Sequence, residues 1–285
     1  MNILITGANG YLAKNFIKEI FKIEKYNLTL LVRKDSNVKD LLKYVDIKNI
    51  IFYDETIDSL KSLQKYKINL VLHLANYYPD STRPDIPEKI ISSNLTLIAN
   101  ITNILGNKDS FKIINISSNA AEYDSSLYGL TKLTAEKYLE ENYLCSTFRL
   151  HDTYGEKDPR QKLINQLINY SNSGKVLEIK SAPEKLIHII YIKDVISAFF
   201  SIIENSSPMN NNNYLKSHSL KHIFSETMTL KDVVKTFNDI SLKKVNILWR
   251  VKNSIKMPLQ SPGELPDGWK PKYNLSQGLK EILRL

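Results

Sequence analysis

The sequence predicts an α/β protein in which a doubly wound parallel sheet is followed by a smaller α/β lobe at the C-terminal end. Three observations carry that expectation. Near the N-terminus the apolar residues 3–5 run into Gly7 and Gly10 and then into residues 11–24, where Leu12, Phe16, Ile17 and Ile20 recur at helical spacing. Beyond this, apolar runs of strand length alternate with helical patterns as far as Leu150, the order that builds a parallel sheet. One of these runs, residues 69–75, is almost continuously apolar, as in a strand covered on both faces. At 285 residues the chain also exceeds an ordinary single domain, which leaves room for the second lobe.

Composition bounds the classes of function. Hydrophobic residues make up 42% and charged residues 24%, both ordinary for a globular protein. No stretch approaches the ~20 apolar residues of a membrane span, and the first residues enter a strand with no signal-peptide pattern, so no membrane partner and a cytoplasmic location are expected. The single cysteine, Cys145, excludes an internal disulfide and a thiolate metal cluster and reads as a buried packing residue. His73, His151, His188, His218 and His222 include no i, i+4 pair about a glutamate, so no metal is expected. The net charge of +9 raises the question of nucleic acid. Lysines such as Lys14, Lys18, Lys22 and Lys25 are scattered along helices, however, not grouped with aromatics. No nucleic acid partner is expected, and the surplus charge would draw an anionic cofactor and substrate to the cleft.

The glycine turn is the first candidate site. Gly7 permits a sharp turn, Gly10 lets the backbone approach a pyrophosphate, and the helix that follows offers free N–H groups and the positive end of its dipole. Ala13 stands where the usual fingerprint has a third glycine and is small enough for close helix–strand packing. The second strand, residues 28–33, ends in Arg33 and Lys34, where such folds meet the adenine ribose. An acidic residue there would hold the 2′-OH, whereas two cations suit a 2′-phosphate, so NADPH is expected ahead of NADH. A register shift of one residue would leave both cations solvating a strand end.

Residues 49–52 and 69–75 read as the third and fourth strands, with helical segments between. Asn76, Tyr77, Tyr78 and Pro79 then form a polar, aromatic loop at a strand's carboxyl end, where open α/β sheets bind ligands. Residues 86–105 read as one helix containing Asn94. A fifth strand, residues 111–116, delivers Ser117 and Ser118 to the same edge of the sheet. Ten residues after Ser118, Tyr128-Gly-Leu-Thr-Lys132 opens a helix over residues 127–141, with Tyr128 and Lys132 on one face. The lysine charge favours the phenolate and lowers the tyrosine pKa from its reference of about 10. A serine hydroxyl beside the pair can hold a carbonyl or alcohol oxygen, with Ser118 the candidate and Ser117 the fallback.

After a sixth strand at residues 146–150, Thr153-Tyr-Gly155 leads into Lys157, Arg160 and Lys162 and a helix through Tyr170. Strands follow at residues 177–179 and 186–192, a helix at 193–204, and a polar loop at Asn210 to Asn213. Thr229-Leu-Lys-Asp232 carries a capping pattern that opens a helix through Asn238, before a strand at 245–249 and a closing amphipathic helix at 275–285. The expected division is a dinucleotide unit of residues 1–152, with 186–222 returning to it, and a substrate lobe of residues 153–285.

Thr6-Gly-Ala-Asn-Gly10, His73-Leu-Ala75, Ile116-Ser-Ser118, Tyr128 with Lys132, Arg149-Leu-His-Asp-Thr-Tyr-Gly155, Tyr191-Ile-Lys-Asp-Val195 and Gly268-Trp-Lys-Pro271 span essentially the whole chain. Taken together, they resemble the extended short-chain dehydrogenase/reductase (NAD-dependent epimerase/dehydratase) family. The resemblance implies a Rossmann fold with Ser118, Tyr128 and Lys132 as the catalytic set. It implies cofactor contacts from Gly7, Asn9, Gly10, Tyr11, Leu12, Arg33, Lys34, Leu74, Ala75 and Asn76, together with Tyr128 and Lys132. It further implies a nucleotide-sugar substrate met by Tyr77, Ser118, Thr153, Lys162 and Arg250, and is compatible with a homodimer. Relatives often carry an Arg-Asp pair where this chain has Ile187 and His188, so the contacts made by that pair are expected to differ.

Within the family, the length, the loop His73-Leu-Ala-Asn-Tyr-Tyr78, the basic residues after the second strand and the ending Trp269-Lys-Pro-Lys-Tyr273 with Gly278-Leu-Lys-Glu-Ile-Leu283 resemble one group most. These are the 4-ketoreductases that complete CDP-3,6-dideoxyhexoses such as abequose and paratose for bacterial O-antigen. The implied activity is NADPH-dependent reduction of a C4 ketone. Two other readings stay open. One is a 4-epimerase or dehydratase that retains NAD; Asn119 and Ala120 after Ser118 argue against a dehydratase, which adds a carboxylate pair there. The other is a noncatalytic NADP-sensing or nucleic-acid-associated protein, against which the Tyr128/Lys132 pair argues.

Overall fold

The computed structural model describes residues 1–79, 86–107, 109–206, 220–250 and 262–285. The polar stretch at Asn210 to Asn213 lies outside the described residues. The chain divides into two compact units, one of Met1–Leu150 with Phe199–Lys221 and one of His151–Ala198 with His222–Leu285. The segment that returns to the first unit is thus 199–221, where the sequence reading has 186–222.

The first unit is built on β1 (Asn2–Thr6), β2 (Asn27–Arg33), β3 (Ile50–Tyr53), β4 (Leu70–His73), β5 (Lys112–Ser118) and β6 (Cys145–Leu150). Among the described residues these lie in the order β3-β2-β1-β4-β5-β6, with the short β10 (Lys221–Ile223) at the β6 edge. From β3 to β6 every neighbouring pair is parallel. The strand order therefore reverses between β1 and β4, which is where doubly wound sheets open a ligand crevice.

The apolar strands are buried because both faces are covered. Leu4, Leu31, Val71 and Ile113 pack on one face with Ile98 and Ile101 of α3 (Leu97–Leu105) and Ala135 and Leu139 of α5 (Leu127–Asn142). α1 (Tyr11–Ile20) buries Ala13, Phe16, Ile17 and Ile20, and Phe16 meets Phe199 of α7 (Ile192–Asn205) edge-on at 5.5 Å. α1 stops four residues short of the expected end: the bonding changes to i, i+3 at Lys22 and Ile23, and Phe21 is left about half exposed. The expected helix over 86–105 is interrupted. It consists of α2 (Pro87–Ile91), a π-helical turn at Ser92–Thr96, and α3.

In the second unit, β7 (Asp152–Tyr154) runs parallel to β9 (Leu186–Tyr191), which pairs antiparallel with β11 (Glu226–Thr229). β8 (Val176–Ile179) runs parallel to β12 (Asn246–Trp249). β7 and β11, three and four residues long, have too little alternation to be read from sequence. Thr229 caps α8 (Leu230–Ile240) by accepting the Asp232 N–H at 3.1 Å, but its hydroxyl also donates to the Asp232 carboxylate, so the pair is not the reciprocal box expected. The full capping box is at α9 (Leu275–Leu283), between Asn274 and Gln277. The Gly268-Trp-Lys-Pro stretch docks through Trp269 Nε1 on Ser197 Oγ, and the N–H groups of Lys272 and Tyr273 bond to Asp194. No described helix is long and apolar enough to cross a membrane.

Candidate active site

β1 and β4 lie side by side with Thr6 opposite His73, and one hydroxyl joins the loops that leave them. Thr6 Oγ1 accepts the N–H groups of Leu74 at 3.1 Å and Ala75 at 3.0 Å and lies 2.9 Å from His73 Nδ1. β4 ends at His73, two residues before the sequence pattern does, because the next two amides turn to Thr6. With both lone pairs engaged, the hydroxyl donates to Nδ1, so the neutral imidazole carries its proton on Nε2. Burial, reinforced by the Lys132 charge, pushes the His73 pKa down to about 3 and keeps the ring neutral.

Gly7 follows with φ +62°, and a Cβ on it would sit 2.7 Å from Ala75 Cα. Only glycine fits there. Gly10 donates its N–H to Gly7 O at 2.8 Å and begins α1 with no side-chain cap, leaving the first helical amides open to an anion. This cradle fits a dinucleotide pyrophosphate. Gly7, Asn9, Gly10, Arg33, Leu74, Ala75, Asn76 and Tyr77 line one cleft, so eight of the residues expected at the site are brought together. Asn9 Oδ1 is buried there without a hydrogen-bond partner among the described residues. Tyr11 and Leu12 open α1, while Lys34 is exposed, does not line the cleft, and bonds to Tyr53 O through its amide at 2.8 Å.

Ser36 and Glu55 also line the cleft, and sequence reasoning missed both. Ser36 is folded back by a turn, its N–H 2.9 Å from Arg33 O. Glu55 follows β3, which reaches Arg33 only because β3 pairs with β2, Tyr53 opposite Arg33.

α5 begins at Ser126, whose hydroxyl accepts the Gly129 N–H at 3.3 Å. Tyr128 and Lys132 are both buried. Lys132 Nζ donates to Ile116 O at 3.2 Å, and burial pulls its pKa down to about 8 against the opposing effect of Glu136. Tyr128 Oη receives the Asn76 carboxamide nitrogen at 3.3 Å, and its ring meets Tyr78 edge-on at 5.0 Å. Ser118, at the end of β5, is partly exposed; its hydroxyl accepts the Ala120 N–H at 3.2 Å and donates to Asn119 Oδ1 at 3.3 Å. Ser117 is buried with its hydroxyl unpartnered among the described residues.

Asn94, which the sequence placed in a helix without a role, holds the loop that carries Tyr77. Fully buried in the π turn, it accepts the Tyr77 N–H at 2.8 Å and donates to Tyr77 O and Thr131 Oγ1, both at 3.3 Å. π turns insert one extra residue into a helix and recur at functional sites. The available signal was a lone asparagine among Ile90, Ile91, Leu95 and Leu97. Beneath the site, Arg149 of β6 grips Glu136 of α5 through Nε at 3.1 Å and Nη2 at 2.9 Å, and Glu122 through Nη1 at 3.1 Å.

The substrate contacts expected in the second unit have partners of their own. Thr153 is buried, its hydroxyl 3.2 Å from His151 O. Lys162 pairs with Asp152 at 3.1 Å, and Arg250 with Glu178 at 3.1 Å. Arg160 is held on Asp158 by both Nε and Nη2. His188, in place of the family's Arg-Asp pair, is buried with Nδ1 2.8 Å from Thr227 Oγ1.

A parallel sheet that reverses beside a glycine cradle, with a Tyr–Lys helix at the same edge, defines a dinucleotide-binding α/β protein. Residues 3–215 match the NAD dependent epimerase/dehydratase family, and the chain belongs to that family. It is 27% identical over 256 residues to the CDP-abequose synthase of Yersinia pseudotuberculosis, covering 84% of each chain. It is 20% identical to the CDP-abequose synthase of Salmonella typhimurium, covering 99% of this chain and 97% of that one. The fold is shared with a variant of the Bacillus cereus UDP-glucuronic acid 4-epimerase solved with a fluorinated UDP-glucuronic acid and NAD. Their TM-score is 0.77 at 18% identity, covering 100% of this chain and 98% of that one.

Proposed function

We propose that this enzyme reduces the C4 ketone of a nucleotide-activated deoxysugar with NADPH, and that the substrate is a CDP-4-keto-3,6-dideoxyhexose of surface-polysaccharide synthesis in the cytoplasm. The observation that carries the reading is Tyr128, one helical turn from the buried Lys132 and bonded to Asn76 of the cleft loop. The CDP-abequose synthases among its relatives support the substrate class.

When bound, the reduced nicotinamide supplies the hydride. Gly7, Gly10 and the open amides of α1 hold the pyrophosphate, and Arg33 with Ser36 receives the 2′-phosphate. Tyr128 gives its proton to the substrate oxygen, Ser118 orients that oxygen, and Lys132 holds the nicotinamide ribose and favours the phenolate. Tyr77, Thr153, Lys162 and Arg250 are the proposed substrate contacts, the last three after release from their present partners.

Titration of NADPH and NADH into the wild type and Arg33→Ala tests the cofactor. NADPH should bind the wild type more tightly, and the variant should lose roughly tenfold to hundredfold in NADPH affinity, the worth of one charge-assisted hydrogen bond, with NADH nearly unaffected. Equal wild-type affinities would contradict the reading. One observation favours a second reading: Glu55 lines the same cleft as Arg33 and is the kind of carboxylate that holds a ribose 2′-OH. It suits an epimerase or dehydratase that retains NAD, and tightly bound NAD released on denaturing the purified protein would select it.

A further inference from the structure

Asn76 lies between two anchored residues. On one side Thr6 Oγ1 holds the Ala75 N–H; on the other Asn94 holds both the N–H and the C=O of Tyr77. Gly7 packs against Ala75 so closely that no Cβ would fit between them. The backbone at Asn76 is therefore fixed from both ends, although the residue itself is exposed. Its carboxamide nitrogen lies 3.3 Å from Tyr128 Oη, and the next aromatic of the loop, Tyr78, stands edge-on against the same phenol. A donor held at that distance by the scaffold favours the ionised oxygen over the neutral one.

We propose that Asn76 is a further catalytic residue of the reaction proposed above, donating a hydrogen bond to Tyr128 Oη and stabilising the phenolate formed when Tyr128 gives up its proton. The proposal rests on that reading of the site. A reduced nicotinamide held in the cleft would supply the hydride; the C=O π pair then moves to the substrate oxygen, which takes the Tyr128 proton, so that the Tyr128 O–H bond breaks as the substrate O–H bond forms. The electron pair of the broken bond stays on Tyr128 Oη, where the Asn76 hydrogen bond becomes charge-assisted. Among the described residues, Lys132 lies one turn further along the same helix and Tyr78 stands edge-on against the ring, while His73 on β4, which feels the Lys132 charge, stays neutral. Lys132 loses its charge above pH about 8. The carboxamide does not titrate, so its support continues at higher pH.

Tyrosinate absorbance, titrated with pH and corrected with Tyr128→Phe, reads this directly in the wild type, Asn76→Ala and Asn76→Asp. Tyr128 should ionise about one pH unit higher in Asn76→Ala, the equivalent of a tenfold weaker preference for phenolate. In Asn76→Asp the shift should be larger, because a carboxylate repels the phenolate while filling the same space. The alkaline limb of kcat, where Tyr128 has lost the proton it must give, should move upward with the titration in the alanine variant. Unchanged Tyr128 titration in both variants, with or without a loss of NADPH affinity, would overturn the proposal and leave Asn76 a cofactor contact alone. Since the titration needs no substrate, it reports on Asn76 even if no keto-sugar nucleotide is turned over, an outcome that would strike the reductase reading instead.

Discussion

Lys132 is charged where charge is expensive. Burial lowers its pKa from the ordinary 10.5 to about 8, so the folded chain gives up this proton before the unfolded chain does. Folding stability therefore rises as pH climbs from 8 to 10.5, and below pH 8 the full penalty is present. Lys132→Met should abolish turnover yet be more stable than the wild type at pH 7 by about 3 kcal/mol, the gap closing toward pH 10.5. Denaturant unfolding at pH 7 and pH 10 measures this, and equal stabilities at pH 7 would contradict it. Gly7→Ala should cost about 1–3 kcal/mol, since its φ of +62° and the 2.7 Å approach to Ala75 both forbid a Cβ, and calorimetry should find dinucleotide binding lost. Wild-type affinity in that variant would mean the cradle is not the pyrophosphate site. Gly7, Gly10, Tyr128 and Lys132 were legible in the sequence because a turn conformation and an i, i+4 spacing are local properties. Ser36, Glu55 and Asn94 were not, because a back-folding turn, a neighbouring strand and a π turn bring them in.

α5 carries both Tyr128 and Lys132, and its hold on the sheet is electrostatic as well as apolar. Arg149 and Glu136 are both buried and share two hydrogen bonds. Arg149→Met would leave the Glu136 carboxylate buried without its cation and should destabilise the protein by about 3–5 kcal/mol. Adding Glu136→Leu should recover most of that loss, because the unpaired charge is then gone. Urea unfolding of the two variants checks this; equal midpoints would show that Glu136 is not the source of the cost. Element types were readable from period and apolar runs, but several ends were not. The end of β4 is set by the Thr6 hydroxyl, and the break between α2 and α3 by the bonds Asn94 makes to Tyr77. Neither side chain stands out in a hydrophobic pattern.

At the scale of the whole molecule, strand order was within reach of the sequence because alternating strands and helices leave few ways to wind a parallel sheet. The division into units was harder. The chain leaves the first unit after Leu150 and re-enters it at Phe199, partway along the continuous helix α7, where no glycine, proline or polar run marks the change. The central claim concerns what the assembled site does. Wild type and Tyr128→Phe should be incubated with NADPH and a CDP-4-keto-3,6-dideoxyhexose, following NADPH oxidation and sugar product together. The wild type should consume one NADPH for each C4 alcohol formed, and Tyr128→Phe should bind NADPH nearly as well while its kcat falls by roughly 10²–10⁴-fold. Product formed without net NADPH oxidation, or near-normal turnover by Tyr128→Phe, would contradict the account.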